Sequence, residues 1–349
     1  MAAAEREAAE ILIPQAAPML RRAGVPWLAP LRARLAAMQD RARLPHGLLL
    51  AGPPGAGQPE LGAWIAARLL CRNRLEDACG TCVDCRLLLA GSHPDYYWIG
   101  VEPDKKDISI DQMRALSEAL SMRSYRGGAK IAVIAPAEAM NVKSFNALLK
   151  TLEEPPDDTF LVLATSRIDR IPRTIASRCT RLRLPLPSED QAIEFLAGVD
   201  GRSDWKALLA LANGAPLLAV DYAGEGLGEL DAEMQEAIAA ATLGRLDLVG
   251  FARTCAEKTP AARLAWLESW LTRSLKDAAL ASDLVNNNRL PWLRPPALET
   301  KIRAGYGLLD KLRDARRQVG GPLNTLLLFE GLWVALAALV GKPQGKAGE

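Results

Sequence analysis

The stretch from Ser144 to Cys179, SFNALLKTLEEPPDDTFLVLATSRIDRIPRTIASRC, constrains the fold more than any other. Phe145, Leu148, Leu149 and Leu152 recur at i, i+3, i+4 and i+7, which places one apolar face on a helix. Pro155 and Pro156 end that helix, because proline has no N–H with which to continue the ladder. Thr159 to Thr165 (TFLVLAT) is a short continuous apolar run, the pattern of a parallel strand buried on both faces. Pro172 opens a second helical turn, which closes on Ser177-Arg178-Cys179.

An earlier strand carries the second feature. His46 precedes GLLLAGPPG, an apolar run that enters a glycine-rich turn. Gly52 to Pro59 reads GPPGAGQP against the phosphate-binding pattern G-x-x-x-x-G-K-[S/T]. Gly52, Gly55 and Gly57 allow the tight turn, but the two reagent positions have changed. Gln58 stands where a lysine would neutralise the β- and γ-phosphates. Pro59 stands where a hydroxyl would ligate magnesium, and it also removes one N–H from the helix N-terminal phosphate nest. The loop reads as a sound strand-to-helix turn in which no productive ATP binding or hydrolysis is expected.

After the following helix, Leu61 to Cys71, comes Cys71-x7-Cys79-x2-Cys82-x2-Cys85. Four thiolates in a short polar stretch can surround one tetrahedral zinc at sulfur distances of about 2.3 Å, and Gly80 gives the backbone room to turn. The four residues are expected to form a closed structural zinc site; free thiols on a helical hairpin are the alternative. His93, before Pro94-Asp95, could be imagined as a ligand or base. A lone histidine beside a turn proline reads as a surface or packing residue.

Composition removes several classes. Among 349 residues, 43 Lys and Arg against 41 Asp and Glu give a net charge of +2, so nucleic-acid contact would have to come from a local basic patch. No apolar run approaches the roughly 20 residues needed to span a bilayer, and MAAAEREAAEILIP lacks the pattern of a signal peptide. The expected compartment is the cytoplasm, where six cysteines are metal ligands or core thiols rather than disulfides.

NALLKTLEEPP, then LAT, then SRC, in that order and spacing, resemble the AAA+ module of the bacterial clamp-loader family, which opens sliding clamps for replicative polymerases. IDQMRAL (Ile110 to Leu116) resembles the same family. The resemblance implies an α/β AAA+ module, a parallel sheet flanked by helices with a zinc-binding insertion. It also implies a small helical lid domain and an all-α C-terminal collar domain. Expected bounds are an extension over 1–24, the P-loop-like domain over 25–185 with its zinc module at 71–85, the lid over 186–228, the collar over 229–341, and a tail over 342–349.

The family's residues then carry over position by position. Walker B acids should end the strand Lys130 to Ala135; counted back from Phe145-Asn146, their places fall on Ala135 and Pro136, which hold no cation and polarise no water. Glu138 lies nearby and is expected to point elsewhere. Thr165 occupies the sensor 1 place, and Pro216 and Leu217 stand near where an arginine usually follows the glycine of the sensor 2 helix. Arg178, in the SRC triplet, takes the place of an arginine finger that acts in trans on a neighbour's ATP. The implied role is a non-hydrolysing stator of the DNA polymerase III clamp loader, a component of a DNA-directed DNA polymerase holoenzyme in the nucleoid-associated replisome. Implied partners are the tau/gamma ATPase subunits and the delta subunit, with the sliding clamp and primer-template DNA reached through the complex. Two rivals stand beside this reading: an active ATPase of the tau/gamma type, and a zinc-dependent DNA-binding protein. Gln58, Pro59, Ala135 and Pro136 oppose the first. The mixed charge between Cys71 and Cys85 opposes the second.

Overall fold

Apolar runs too short for helices become the centre of one sheet. β1 (Gly47–Ala51), β2 (Tyr96–Ile99), β3 (Lys130–Ile134), β4 (Thr159–Thr165) and β5 (Thr180–Arg183) lie in the order β2-β3-β4-β1-β5. Every neighbouring pair is parallel. This computed structural model describes residues 19–20, 22–40, 43–73, 77–102, 105–280, 298–319 and 324–341. Most of the expected N-terminal extension and the whole expected tail lie outside the described residues.

Parallel neighbours require crossover connections, and helices supply them. Helix α1 (Ala29–Asp40) precedes β1; α2 (Gln58–Leu70) and α3 (Val83–Leu89) join β1 to β2. Next come α4 (Ile110–Ser121) before β3, α5 (Val142–Glu153) before β4 and the single turn α6 (Arg173–Ala176) before β5. Because both faces are covered, all five residues of β1 and of β3 are buried. On α5, Phe145, Leu148 and Leu152 enter the core beside Leu161 and Leu163, while Leu149 packs at its edge.

The helix ends are set by named side chains. Ser109 and Gln112 form a reciprocal capping box on α4, with Ser109 N donating to Gln112 Oε1 at 2.8 Å and Gln112 N to Ser109 Oγ at 3.2 Å. Asn141 Oδ1 caps α5 by accepting from Ser144 N at 3.0 Å. At the other end of α4 the buried Lys130 ammonium donates to the carbonyls of Leu120 and Met122, orphan acceptors at a helix C-terminus.

The chain divides into two compact units between Ser188 and Glu189. The second is helical: α7 (Glu189–Ala197), α8 (Trp205–Leu211), α9 (Pro216–Gly224), α10 (Leu227–Thr242), α11 (Leu248–Glu257), α12 (Pro260–Leu280), α13 (Leu298–Gln318) and α14 (Thr325–Val340). All but the first three residues of the stretch expected to form the lid, and the stretch expected to form the collar, fall within it. Trp266, Phe329 and Trp333 are buried there, and Trp266 stacks on Trp270 with centroids 6.3 Å apart. Arg263 is buried too, and its charge is met by Glu233 Oε2 at 2.7 Å. No single helix among the described residues is long and apolar enough to cross a membrane.

Candidate functional site

In an open parallel sheet, ligands meet the carboxyl ends of the strands. Ala51 pairs with both Thr165 and Arg183, so the loop after β1 and the ends of β4 and β5 share that edge. The loop keeps the frame of a phosphate turn. A Cβ on Gly52 would lie 2.8 Å from the carbonyl of Leu184, so no larger residue fits without displacing backbone. Gly57, the residue before α2, has φ 102°, a conformation that glycine adopts without steric cost.

The reagent positions are arranged quite differently. Gln58 is 3% exposed and folds back under the loop. Its Nε2 lies 2.5 Å from Gly52 O, 3.0 Å from Pro53 O and 3.3 Å from Thr165 O. One amide nitrogen carries two hydrogens, so three acceptors share them. The side chain stitches the ends of β1 and β4 to the loop instead of reaching outward. Pro59 sits in the first turn of α2 without an N–H. Thr165 takes a local role: its Oγ1 accepts from Arg167 N at 3.0 Å.

Above the loop lies a cleft of about 410 Å³, lined by Gln58, Pro59, Trp98, Ala135, Pro136 and Glu138 among others. Ala135 and Pro136, joined by a cis peptide, bring no charge to it. Glu138 corrects the sequence reading. A 3₁₀ turn over Ala137–Ala139 brings Glu138 into the lining of this cleft rather than away from it. Oε1 accepts from Ser166 N at 3.1 Å and Ser166 Oγ at 2.6 Å, whereas Oε2 is sealed from solvent and meets no donor among the described residues. Glu138 is thus tied to Ser166, just past the end of β4, in the lining of the cleft.

Arg178 is at the opposite edge of the sheet. Thr180 pairs with Leu48 and Arg183 with Ala51, so roughly 13 Å of strand, at ~3.3 Å per residue, separates the start of β5 from the loop. The guanidinium is exposed. Nη2 contacts Glu153 Oε1 at 2.5 Å and Nη1 donates to Thr174 O at 2.8 Å. Sequence reasoning missed Glu153 as its partner. Of the neighbouring arginines, Arg167 pairs with Asp169 at 3.5 Å, and Arg170, Arg173, Arg181 and Arg183 are solvated.

The four cysteines converge. The sulfurs of Cys71, Cys79, Cys82 and Cys85 all lie within 4.8 Å of one another, and Cys79 and Cys85 are 3.9 Å apart. Bonds of ~2.3 Å in a tetrahedron require edges of ~3.8 Å, so the donor set fits zinc. Backbone N–H groups already point at three sulfurs: Cys79 N at Cys71, Cys82 N at Cys79 and Cys85 N at Cys82, at 3.3, 3.3 and 3.4 Å. Such donors stabilise thiolates. The N–H of Cys82, followed by that of Thr81, pulls the half-buried Cys79 thiol down to about 5, whereas burial pushes Cys85 and Cys71 upward. When bound, zinc would supply the positive charge that holds all four deprotonated and close a structural knuckle.

Asp84 lies between two of these cysteines and is 1% exposed. Oδ2 accepts from Arg72 Nε and Oδ1 from Arg126 Nε, both at 2.7 Å. Burial raises its pKa, but the two guanidiniums outweigh that and hold it below the usual carboxylate range. His93 proves buried rather than superficial. Its Nδ1 accepts from Asp95 N at 3.1 Å and its Nε2 lies 3.4 Å from Asp84 Oδ1. Burial lowers its pKa against the pull of Asp84.

Comparison with known proteins agrees with this arrangement. The family model described as "DNA polymerase III, delta subunit" matches residues 29–188. DNA polymerase III subunit delta' of Pseudomonas aeruginosa is 34% identical over 330 residues, covering 90% of this chain and 98% of that protein. The delta' subunit of Yersinia pestis is 32% identical over 325 residues, covering 88% and 94%. A DNA polymerase III gamma subunit of Buchnera aphidicola is 35% identical over 155 residues, covering 44% of this chain and 42% of that one. The five-stranded parallel sheet, the glycine-rich turn at its carboxyl edge and the cysteine insertion define an AAA+ protein of clamp-loader type. Matched over nearly its whole length, the chain belongs to the delta' family of DNA polymerase III subunits.

Proposed function

We propose that this chain is the non-hydrolysing stator of a clamp loader and lends Arg178 in trans to the ATP of an adjacent subunit. The observation that carries the reading is the separation within one sheet: Arg178 is exposed at the amino edge, and the chain's own glycine-rich turn is at the carboxyl edge. A phosphate met by Arg178 therefore belongs to another molecule. A planar guanidinium suits that task, because its fork matches phosphate oxygens bidentately. In the same reading the chain turns over no ATP: Gln58 is committed to backbone carbonyls, and Pro59 and Ala135 offer magnesium nothing. The neighbour that receives Arg178 is a tau/gamma-type ATPase, and delta is the other partner. The sliding clamp and primed DNA are engaged through the assembly. Helices α7 to α9 act as the lid and α10 to α14 as the collar. The knuckle holds structural zinc.

The test is ATP turnover by a reconstituted loader with clamp and primed DNA, wild type against Arg178→Ala, with the isolated chain as control. Arginine fingers contribute about 10³ to 10⁵ in rate at the site they serve. Because other sites in the ring keep their own fingers, the expected result is a severalfold loss of total turnover with assembly intact. Unchanged turnover would leave Arg178 a surface arginine, and magnesium-dependent turnover by the isolated chain would overturn the non-hydrolysing reading.

A further inference from the structure

The cysteine knuckle and an exposed loop some 40 residues later are tied together by buried charge. Arg72 directly follows the ligand position Cys71, and Asp84 directly precedes the ligand position Cys85. The two side chains meet at 2.7 Å, and Arg72 also reaches across, with Nη2 donating to the carbonyl of Arg126 at 2.8 Å. Arg126 returns the contact by donating Nε to the other oxygen of Asp84 at 2.7 Å. A three-residue clasp results, whose knuckle-side members are each one residue from a metal ligand.

On the loop side a second buried aspartate completes the attachment. Asp95 is 0% exposed and accepts from Ser124 Oγ at 2.9 Å, Tyr125 N at 2.8 Å and Arg126 N at 2.9 Å. Ser124 Oγ in turn accepts from Gly128 N at 3.1 Å. Among the described residues, polar groups at its base hold the turn between α4 and β3. Its large apolar side chains are exposed, Met122 to 61% and Tyr125 to 77%. A loop with so little burial is ordered to the extent that its anchors are fixed.

We propose that the metal knuckle is a strut for this loop: closing the four thiolates around zinc fixes Arg72 and Asp84 relative to each other, and that pair fixes Arg126 and with it residues 122–128. Without metal, Cys71 and Cys85 are free to separate, and the two ends of the clasp separate with them. The carboxylate of Asp84 then loses one or both guanidiniums, and a buried charge without its partners rearranges rather than stays. Metal occupancy is thereby converted into order at a surface loop that contains no ligand. The inference rests on the metal reading of the four cysteines, so zinc content is measured separately from the coupling.

Amide hydrogen exchange on the full chain reads the effect directly, because the N–H groups of Tyr125, Arg126 and Gly128 are held by the anchoring residues. Wild-type protein is compared with zinc bound and after chelation by EDTA, and with the zinc-bound Arg126→Ala variant. The expected result is at least tenfold faster exchange at these three amides on chelation, with β1 and β4 unchanged. Arg126→Ala should reproduce that acceleration with one zinc per chain retained, and chelation should then add little. If chelation loosens the whole first unit, the Arg126→Ala comparison decides alone. Unchanged loop exchange in zinc-bound Arg126→Ala, or wild-type exchange at these amides after complete zinc removal, would overturn the coupling. A purified chain that binds no zinc at all would overturn the metal reading beneath it.

Discussion

Replacing Gln58 by alanine separates a relic of a nucleotide site from a working part of the fold. The side chain is buried, and its amide offers two N–H groups to three carbonyls, two in the loop after β1 and one at the end of β4. Each intramolecular hydrogen bond contributes about 0.5–1.5 kcal/mol net, so two lost donors cost about 1–3 kcal/mol. One further buried methylene adds about 0.8 kcal/mol. The sum is about 2–4 kcal/mol, or about 4–16 °C in melting temperature for a unit of this size. The assay is thermal unfolding of the full chain, read by amide exchange at Gly52, whose N–H donates to Thr165 O at 3.3 Å. Gln58→Glu sharpens the result, because it keeps the volume but sets a carboxylate against carbonyls. If the amide acts through its donors, the glutamate variant loses more than the alanine variant. A loss below about 0.5 kcal/mol in both would refute the reasoning and make Gln58 a residue merely left behind.

Two further outcomes follow from burial. His93 has a lowered folded pKa because burial disfavours its charged form; the unfolded chain therefore binds the extra proton, and stability is lost as pH falls through the ordinary histidine range. With zinc held in excess, the urea midpoint should fall from pH 7.5 to 6, and His93→Asn, which keeps an acceptor for Asp95 N, should flatten that slope; an unchanged slope would refute it. Burial also pushes the Cys179 thiol up to about 11, so mass spectrometry after iodoacetamide treatment at pH 8 should find it unmodified in the folded chain and fully modified in urea.

The strands and their parallel arrangement were legible because burial on both faces leaves a continuous apolar run with no helical period, and TFLVLAT or GLLLA can satisfy only that. The departure of the loop from the phosphate-binding pattern was equally legible, since it is a matter of which atoms a residue owns: Gln58 has no charge and Pro59 no N–H. Orientation was not. Glu138 sits two residues past the end positions of the strand, and only the 3₁₀ turn at Ala137–Ala139 decides that it lines the cleft. Long-range charge pairing was hidden for a different reason. Asp84 and Arg126 are 42 residues apart, and nothing in the period of either segment marks them as partners. The one available sign was an aspartate placed between Cys82 and Cys85 at the start of a short helix. Glu153 and Arg178 are adjacent for a similar reason: the end of α5 and the turn of α6 meet below β1, a proximity that the sheet order creates and neither helix encodes.

The loop itself shows which parts of a motif carry chemistry. Gly52 is required because Leu184 O passes 2.8 Å from where its Cβ would be, and Gly57 because α2 starts from a left-handed residue. Both demands arise from joining a central parallel strand to the helix that covers it, and they persist whether or not a phosphate ever arrives. The lysine and hydroxyl have no such structural duty, so their positions can change without disturbing the turn. Gln58 then takes up backbone carbonyls that a lysine directed at phosphate would leave alone. A glycine pattern alone is therefore evidence of a strand-to-helix turn, and nucleotide chemistry has to be argued from the two residues that follow it.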